Sequence, residues 1–287
     1  MSNGTALVLV VCDSEGKSSR GFQWPLVVGE SVSASNWMSN KHLADGLYGW
    51  LYGSGLMNIA FSESTATWLV VEVQEDELIE LSGCCKFPRA TVRYAGDSKS
   101  AADYLWEHEP RSRALPVHGA YRANMNDRAE VEVGLFGYAI AGVMGSATAD
   151  ACGYAISGEW GESITRAFGV SISNENGTAI AGNNGCAIAR SNGKAIAGFF
   201  GNAITGEGGI SQAGTCGVAI AGLDGSAMAG RGGLLSILHS DGHPTITRKV
   251  AVVGENGIKP DVLYKLDKNG NFVISTASAC LASASTE

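Results

Sequence analysis

Proline, charged residues and long apolar runs are all scarce in this chain of 287 residues. It has 6 prolines and 39 glycines, and the glycines do not recur at every third position, which excludes a collagen triple helix. Charged residues make up 17% of the chain, against roughly 25% in an average globular protein. No apolar run reaches the ~18 residues of a membrane-spanning helix, so we expect no contact with a membrane.

Basic side chains and paired cysteines are also few. The 20 lysine and arginine residues, against 28 aspartate and glutamate, leave a net charge of −8. They form no basic stripe, so direct binding of nucleic acid is not expected. The seven cysteines show no Cys-x-x-Cys spacing, which argues against a zinc site or a disulfide framework. With no recognisable secretory signal, we expect reduced thiols and a cytoplasmic protein without metal or cofactor.

What the chain does have is a glycine at every eighth position from Gly137 to Gly233, which frames twelve octads. The second position after each glycine is alanine or serine, the third is mostly isoleucine, and the fourth is alanine, serine or threonine. A second glycine in most octads would disfavour a helix by about 1 kcal/mol relative to alanine. Short strands with positive-φ glycine corners instead predict a β-solenoid.

The less regular positions indicate that the true repeat is two octads long. Directly after the glycine, alternate octads carry mainly apolar residues, such as Tyr138 and Tyr154, and the intervening octads carry mainly polar ones, such as Ser146 and Glu162. A rung of sixteen residues explains this alternation. Twelve octads then predict six rungs, stacked over about 25–29 Å at the usual spacing of β-strands.

The octads leave open which residues fill the solenoid. Either isoleucine points inward and the exterior is a carpet of small residues, or alanine points inward and isoleucine ladders lie outside. In both cases one outer face is flat and nearly uncharged, as interfaces often are. We expect this face to form a homo-oligomer or, alternatively, to pack against residues 1–136.

The predicted fold class is mixed, with an N-terminal α+β domain, a β-solenoid and a small C-terminal β cap. In the α+β domain, residues 1–136, we predict strands over 6–11 and 67–73 and a helix over 98–108 capped by Ser98. The solenoid covers residues 137–232. Turn signals within 233–275 suit a β capping unit, and residues 276–287 are expected to be a disordered tail.

Several short motifs resemble an uncharacterised protein family of tailed phages and prophages. They are RGFQ at 20–23, GLYGW at 46–50, WLVVEV at 68–73, KFPRA at 86–90 and VGENGIKP at 253–260. In that family an N-terminal α+β domain is often followed by Gly/Ala-rich octapeptide repeats. The resemblance covers nearly the whole chain and implies a phage or prophage origin, but no biochemical activity.

Two constellations resemble catalytic or metal sites, and each has a simpler explanation. Arg20, residues 64–66 and residues 75–77 follow the order used by ADP-ribosyltransferases, but Ala66 replaces a serine and the acidic group also fits the first turn of a helix. The His-x-Asp-x-His sequence at 239–243 alternates like metal ligands, but its Asp-Gly-His-Pro segment favours a turn. We therefore predict no enzyme, no catalytic residues and no metal ligands.

Two edges of the predicted solenoid are candidate interaction sites. Glu159, Glu175 and Glu207 share one column of the rung, with Asp224 beside it. This acidic edge is either a solvated edge that deters aggregation or a recognition strip for a basic partner. Exposed aromatic residues carry much of the energy of interfaces, so an aromatic edge is the better anchor. Its members are Trp160, Phe168, Phe199 and Phe200.

The sequence therefore predicts a non-enzymatic phage accessory protein in the cytoplasm of an infected bacterium. We expect it to bind a host macromolecule, namely a host protein, and thereby to inhibit an antiviral defence system. One alternative is a virion or tail-associated structural module, which would place it in the virion. The other is a sponge that sequesters a nucleotide signal.

Overall fold

The computed structural model describes residues 4–42, 45–56, 65–241 and 245–276. The chain divides into two compact units, Met1–Tyr121 and Arg122–Glu287. The fold is mostly β-strand with little helix, and a β-solenoid of about seven turns follows the first unit, which confirms the predicted fold class. The predicted disordered tail, residues 276–287, lies outside the described residues except for Thr276.

The first unit is built on a seven-stranded antiparallel sheet. Its elements are β1 Thr5–Cys12, β2 Ser31–Ser33, β3 Leu47–Leu51, β4 Thr67–Gln74, β5 Ile79–Leu81, β6 Cys84–Phe87, β7 Arg89–Gly96, α1 Ser98–His108, and 3-10 helices at Glu75–Glu77 and Pro110–Ala114. The spatial order is β2-β7-β4-β1-β3-β6-β5. Strands β1 and β4 lie in the interior of the sheet and are almost entirely apolar, because both of their faces are covered.

Helix α1 spans the predicted residues, but its N-cap is Asp97 and not Ser98. The Asp97 carboxylate accepts hydrogen bonds from the Ser100 N–H at 2.9 Å and from the Ser100 hydroxyl at 2.8 Å. These bonds lower the pKa of Asp97. Ser98 is already the first helical residue, so its side chain lies one position too late to accept from the free N–H groups of the first turn.

The second unit consists of short strands, all but the last three of which alternate between two parallel sheets. They are β8 Tyr121–Asn124, β9 Glu130–Val133, β10 Tyr138–Ala141, β11 Ser146–Ala149, β12 Tyr154–Ser157, β13 Glu162–Thr165, β14 Val170–Ser173, β15 Thr178–Ala181, β16 Cys186–Ala189, β17 Lys194–Ala197, β18 Asn202–Thr205, β19 Ile210–Ala213, β20 Val218–Ala221, β21 Ser226–Ala229, β22 Leu234–Ser240, β23 Ile246–Val252, β24 Tyr264–Leu266 and β25 Phe272–Ile274. Even-numbered strands from β8 to β22 form one sheet, and odd-numbered strands from β9 to β21 form the other.

The register confirms the sixteen-residue rung. Each strand pairs in parallel with the strand two further along the chain, as Tyr138 does with Tyr154 and Ser146 does with Glu162. One turn of the solenoid therefore contains two octads, one in each sheet. The stack begins before Gly137, because β9, with Val131 and Val133 buried, already pairs with β11.

Alanine fills the solenoid and isoleucine lies outside. The second and fourth positions of each octad are buried, and among them Ala139, Ala179, Ala187 and Ala203 have no exposed surface. The isoleucines at the third position are mostly half-buried on the outer faces. Of the two arrangements that the sequence allows, the structure has the one with a narrow methyl-lined interior.

The repeated glycines serve close packing, and the positive-φ corners fall one residue earlier. A Cβ added at Gly185 would lie 2.9 Å from the Ala181 Cβ and 3.0 Å from the carbonyl oxygen of Gly169, which belongs to the preceding turn. The left-handed residue is Asn184, with φ of 55°. The prediction of positive φ at the octad glycines is therefore wrong. What excludes a side chain at Gly185 is the Ala181 methyl group and the Gly182 carbonyl of its own corner, together with the preceding turn.

The far end of the stack is closed by antiparallel strands. Strand β22 pairs in parallel with β20 and antiparallel with β23, while β24 pairs antiparallel with β21 and with β25. Larger buried side chains, Leu235, Ile237 and Tyr264, replace the inward alanines at this end. The last turn is thus covered by a small β unit with its own apolar packing.

Candidate functional surfaces of the solenoid

One outer surface, here called the isoleucine face, carries no charged side chain over six turns. It consists of the outward residues of β10, β12, β14, β16, β18 and β20. Its two columns are Tyr138, Tyr154, Val170, Cys186, Asn202 and Val218, and Ile140, Ile156, Ile172, Ile188, Ile204 and Ile220. Each isoleucine lies directly beside the next in the parallel register. The rings of Tyr138 and Tyr154 stack with centroids 4.7 Å apart and an interplanar angle of 4°.

The opposite surface, here called the polar face, mixes hydrogen-bonding and apolar side chains. It consists of the outward residues of β11, β13, β15, β17, β19 and β21. Its two columns are Ser146, Glu162, Thr178, Lys194, Ile210 and Ser226, and Thr148, Ile164, Ile180, Ile196, Gln212 and Met228. Not all of this face is open, because Ile196, Gln212, Ser226 and Met228 in its last three rows are at most 7% exposed. The two sheets therefore share one backbone lattice but present different side chains on their outer surfaces.

Two lines of corners join the sheets, and both continue the hydrogen-bonded ladder. The first corners follow the strands of the isoleucine face, and the second corners follow those of the polar face. At a first corner the Trp160 N–H donates to the Glu175 carbonyl at 3.0 Å, and at a second corner the Phe168 N–H donates to the Asn183 carbonyl at 2.8 Å. Each turn is thus bonded to the next at its corners as well as along its strands.

The predicted acidic edge lies along the first corners. Glu159, Glu175, Glu207 and Asp224 are all exposed there, with Glu159 and Glu175 in consecutive turns. Asp224 occupies the left-handed position of its corner, with φ of 56°. The role of this edge as a recognition strip or as a solvated edge stays a prediction.

The predicted aromatic edge is divided between opposite corners. Phe168, Phe199 and Phe200 lie on second corners, whereas Trp160 lies on a first corner beside Glu159. Trp160 and Phe168 are 64% and 63% exposed and adopt left-handed φ values of 58° and 60°. Left-handed backbone costs such residues roughly 1–2 kcal/mol. The four aromatic residues are exposed as expected but do not form one edge.

The acidic residues that resemble part of an ADP-ribosyltransferase site are paired with arginines in the structure. Glu77 accepts two hydrogen bonds from Arg89, both at 2.8 Å, and Glu75 pairs with Arg111 at 2.5 Å. Arg20 lies over the ring of Tyr48, 4.6 Å from its centroid. Ser64 lies outside the described residues.

The metal-like spacing at 239–243 also finds no support in the described residues, where no group of three His, Cys, Asp or Glu side chains could hold an ion. His243 itself lies outside them. The described cysteines are free thiols. Burial raises the pKa of Cys12 to about 12, and it also raises the pKa of Cys186 on the isoleucine face, which argues against reactive thiolates at these two positions.

Two ion pairs in the first unit, one of them buried and the other with a buried acidic member, were not predicted. Lys86 is fully buried and donates to Asp45 at 2.6 Å, and this bond lowers the pKa of Asp45. The buried Glu109 accepts from the Leu7 N–H and from Arg111. A single charged residue in an apolar strand, as at Lys86, is the signal that could have revealed the first pair. Both pairs hold neighbouring segments in place, because Lys86 also donates to the His42 carbonyl and Glu109 also accepts from the Leu7 N–H.

Fold and surfaces together define a repeat β-solenoid whose distinguishing features are two regular outer faces. Among curated proteins the chain is similar to bacterial ice nucleation proteins. It is 32% identical to one from Xanthomonas campestris pv. translucens over 116 residues and 31% identical to one from Enterobacter agglomerans over 136 residues. It is also 33% identical to ice nucleation protein InaU from Pantoea ananas over 110 residues.

These matches are partial on both sides. They cover 40%, 47% and 38% of this chain, and 7%, 11% and 10% of the respective relatives, so the chain spans about a tenth of their length. No family model matches the chain, and no solved structure matches it. The relatives' names mention no reaction, in agreement with the prediction that the chain is not an enzyme.

The similarity corrects several predictions. The resemblance to a phage and prophage family is wrong, because the relatives are ice nucleation proteins of cellular bacteria. The prediction that the protein inhibits a bacterial defence system depended on that phage origin and is wrong for the same reason. The assignment to the cytoplasm of an infected cell or to a virion is also wrong, since it followed from the same origin. In the described residues no helix is both long and apolar enough to span a membrane.

Proposed function

We propose that the solenoid is a short ice-templating repeat that orders water at its polar face. The similarity to proteins named for ice nucleation supports this function. The observation that carries it is the in-register pairing of hydrogen-bonding and apolar columns across successive turns. A regular lattice of fixed groups is what a surface needs to hold water molecules in an ordered layer.

The spacing of the polar face is set by the backbone. Neighbouring rows lie about 4.7–4.9 Å apart, and the two columns within a row lie about 6.6 Å apart, because alternate residues of a strand share a face. The hydroxyls of Ser146, Thr148 and Thr178 can each donate and accept a hydrogen bond with water. Ile164 and Ile180 stand beside them. Methyl groups next to hydroxyls restrict how an adjacent water molecule can be oriented.

The isoleucine face is a poorer template for ice. Its second column is isoleucine throughout, and Asn202 and the tyrosines are the hydrogen-bonding side chains of its first column. A surface with few donors and acceptors cannot fix the orientation of water by hydrogen bonding. The polar face therefore suits the proposed function better, although Glu162 and Lys194 interrupt its hydroxyl column.

The small size of the template limits its expected strength. Six turns extend about 25–29 Å, but the open part of the polar face is shorter, because Ile196, Gln212, Ser226 and Met228 are buried. The chain also spans about a tenth of the length of the relatives. An ice nucleus must exceed a critical size before it grows, so a short template stabilises fewer nuclei than a long one. We expect a measurable but modest rise in the freezing temperature of supercooled droplets.

Droplet freezing with matched variants tests the proposal. Thr178→Lys puts a strongly hydrated charge in the middle of the polar face and should lower the median freezing temperature towards that of buffer. Glu175→Lys makes a larger charge change on a first corner, outside both faces, and should freeze like the wild type. Identical freezing of wild type and buffer, or equal losses in the two variants, would refute the function.

A gain of function sharpens the same experiment. Replacing both charges of the polar column, Glu162→Thr with Lys194→Thr, would give an unbroken hydroxyl column from Ser146 to position 194. We expect this double variant to freeze at a higher temperature than the wild type. A lower freezing temperature in the double variant, with its melting temperature unchanged, would contradict the assignment to the polar face.

A further inference from the structure

The isoleucine face is a regular apolar surface of the solenoid that no strand of the described second unit covers. Tyr138 and Tyr154 are 42% and 38% exposed, and the isoleucines beside them are half-buried. An uncharged, contiguous apolar surface of this kind usually marks an interaction site. Tyrosine and other aromatic residues are enriched in protein interfaces, whereas charged residues are depleted in their cores.

We propose that the occupant of the isoleucine face is a second copy of this chain, packed face to face. The rows of this face repeat at the strand spacing of about 4.7–4.9 Å, because each isoleucine lies in register with the next. Ridges and grooves with this period interdigitate along all six turns only with a surface of the same period. Another isoleucine face is such a surface.

Charge supports the choice of this face for self-association. A two-fold interface brings the same patch of both copies together, so a patch with charges of one sign opposes like charges, and any charged side chain in the interface must be desolvated. The isoleucine face has no charged residue, whereas the polar face has Glu162 and Lys194, and the first corners carry Glu159, Glu175 and Glu207. Of these three surfaces, the isoleucine face alone can meet its own copy without desolvating a charged side chain.

The area of the face predicts a reversible dimer. A strand of four residues is about 13 Å long and six turns extend about 25–29 Å, so the face covers roughly 350 Å² per copy. Stable interfaces bury about 800 Å² per partner. The dimer should therefore dissociate in the micromolar range or above. The proposal does not depend on ice templating, because a dimer through the isoleucine faces leaves the open rows of the polar face, in β11, β13 and β15, uncovered.

Sedimentation velocity over a wide range of protein concentration tests the dimer. The wild type should move from the monomer mass towards twice that mass as concentration rises. Ile172→Lys places a charge at the centre of the face and should weaken association by about tenfold or more, since ~1.4 kcal/mol corresponds to a factor of ten. Ile180→Lys makes the same change at the equivalent, equally half-buried position of the polar face and should associate like the wild type.

Circular dichroism and thermal melting of both variants separate loss of association from loss of folding. If Ile172→Lys does not fold, Tyr154→Lys, at a more exposed position of the same face, takes its place. A wild type that stays monomeric throughout would overturn the proposal. Equal weakening by Ile172→Lys and Ile180→Lys would also overturn it, as would a mass that grows beyond two copies.

Discussion

Three buried serines in the solenoid interior give the sharpest prediction about stability. Most inward positions hold alanine, but Ser157, Ser163 and Ser173 are buried there, and their hydroxyl oxygens have no hydrogen-bond partner among the described residues. Ser163 lies between Ala147 and Ala179 of the adjacent turns. Replacing Ser163 by alanine would therefore give the residue that its neighbours already have, without forcing any side chain to move.

The expected gain follows from the cost of a buried hydroxyl. A buried polar group without a partner costs about 1–3 kcal/mol, and the removed oxygen leaves a space too small to lose many contacts. We expect Ser163→Ala to stabilise the solenoid by about 1 kcal/mol, at the low end of that range. For a domain of this size, such a gain corresponds to a rise in the melting temperature of about 2–4 °C.

A serine at the equivalent position of the opposite sheet is the control. The Ser171 hydroxyl donates to the Ile180 carbonyl at 2.5 Å and lies 3.0 Å from the Thr165 hydroxyl. Ser171→Ala makes the same chemical change but breaks these bonds, so it should destabilise the protein by about 0.5–1.5 kcal/mol. Differential scanning calorimetry measures both variants. The reasoning fails if Ser163→Ala lowers the melting temperature, or if both variants shift it in the same direction.

Two further predictions concern the first unit and the glycine ladder. Burial alone would raise the pKa of Glu109, but hydrogen bonds from Arg111 and from the Leu7 N–H lower it. The ionised Glu109 therefore contributes its full share of the free energy of unfolding above the carboxyl pKa of the unfolded chain. This contribution is lost as the pH falls through the pKa of Glu109 in the folded protein. Glu109→Gln should cost on the order of 2–3 kcal/mol at neutral pH and flatten the acid side of the stability profile measured by urea unfolding; an unchanged profile would contradict this. Gly185→Ala should destabilise the solenoid by about 1–3 kcal/mol through overpacking, measured by thermal melting, whereas a neutral result would show that adjacent turns can separate.

The periodic part of the fold could be predicted from sequence because its signal is repeated many times. The contrast of Tyr138 and Tyr154 with Ser146 and Glu162 sets the sixteen-residue rung, and the register confirms it. The two strands before Gly137 escaped prediction because they lack the octad pattern. Strand β9 fills the interior with Val131 and Val133, since larger side chains fit at the start of the stack.

The direction of the side chains was not predictable, because alanine and isoleucine are both apolar. The narrow interior decides it, because the second and fourth positions of the octads are fully enclosed and alanine is the smaller side chain. The separation of Trp160 from Phe168 was present in the sequence and was missed. Positions eight residues apart fall on opposite corners of a sixteen-residue rung, so the parity of the octad assigns each aromatic residue to its corner.

Successive turns are hydrogen-bonded in the same way at their strands and corners, so whole turns can be added or removed without a new type of contact. Each turn contacts its neighbours in the same way, so stability is approximately a sum of local terms. Deleting sixteen residues, such as 170–185, would remove one whole turn and preserve every type of contact. Deleting only eight would move all downstream strands to the other sheet, so that the residues of the isoleucine face would continue on the polar side. Length can therefore change only in steps of a full turn if the two faces are to keep their identities.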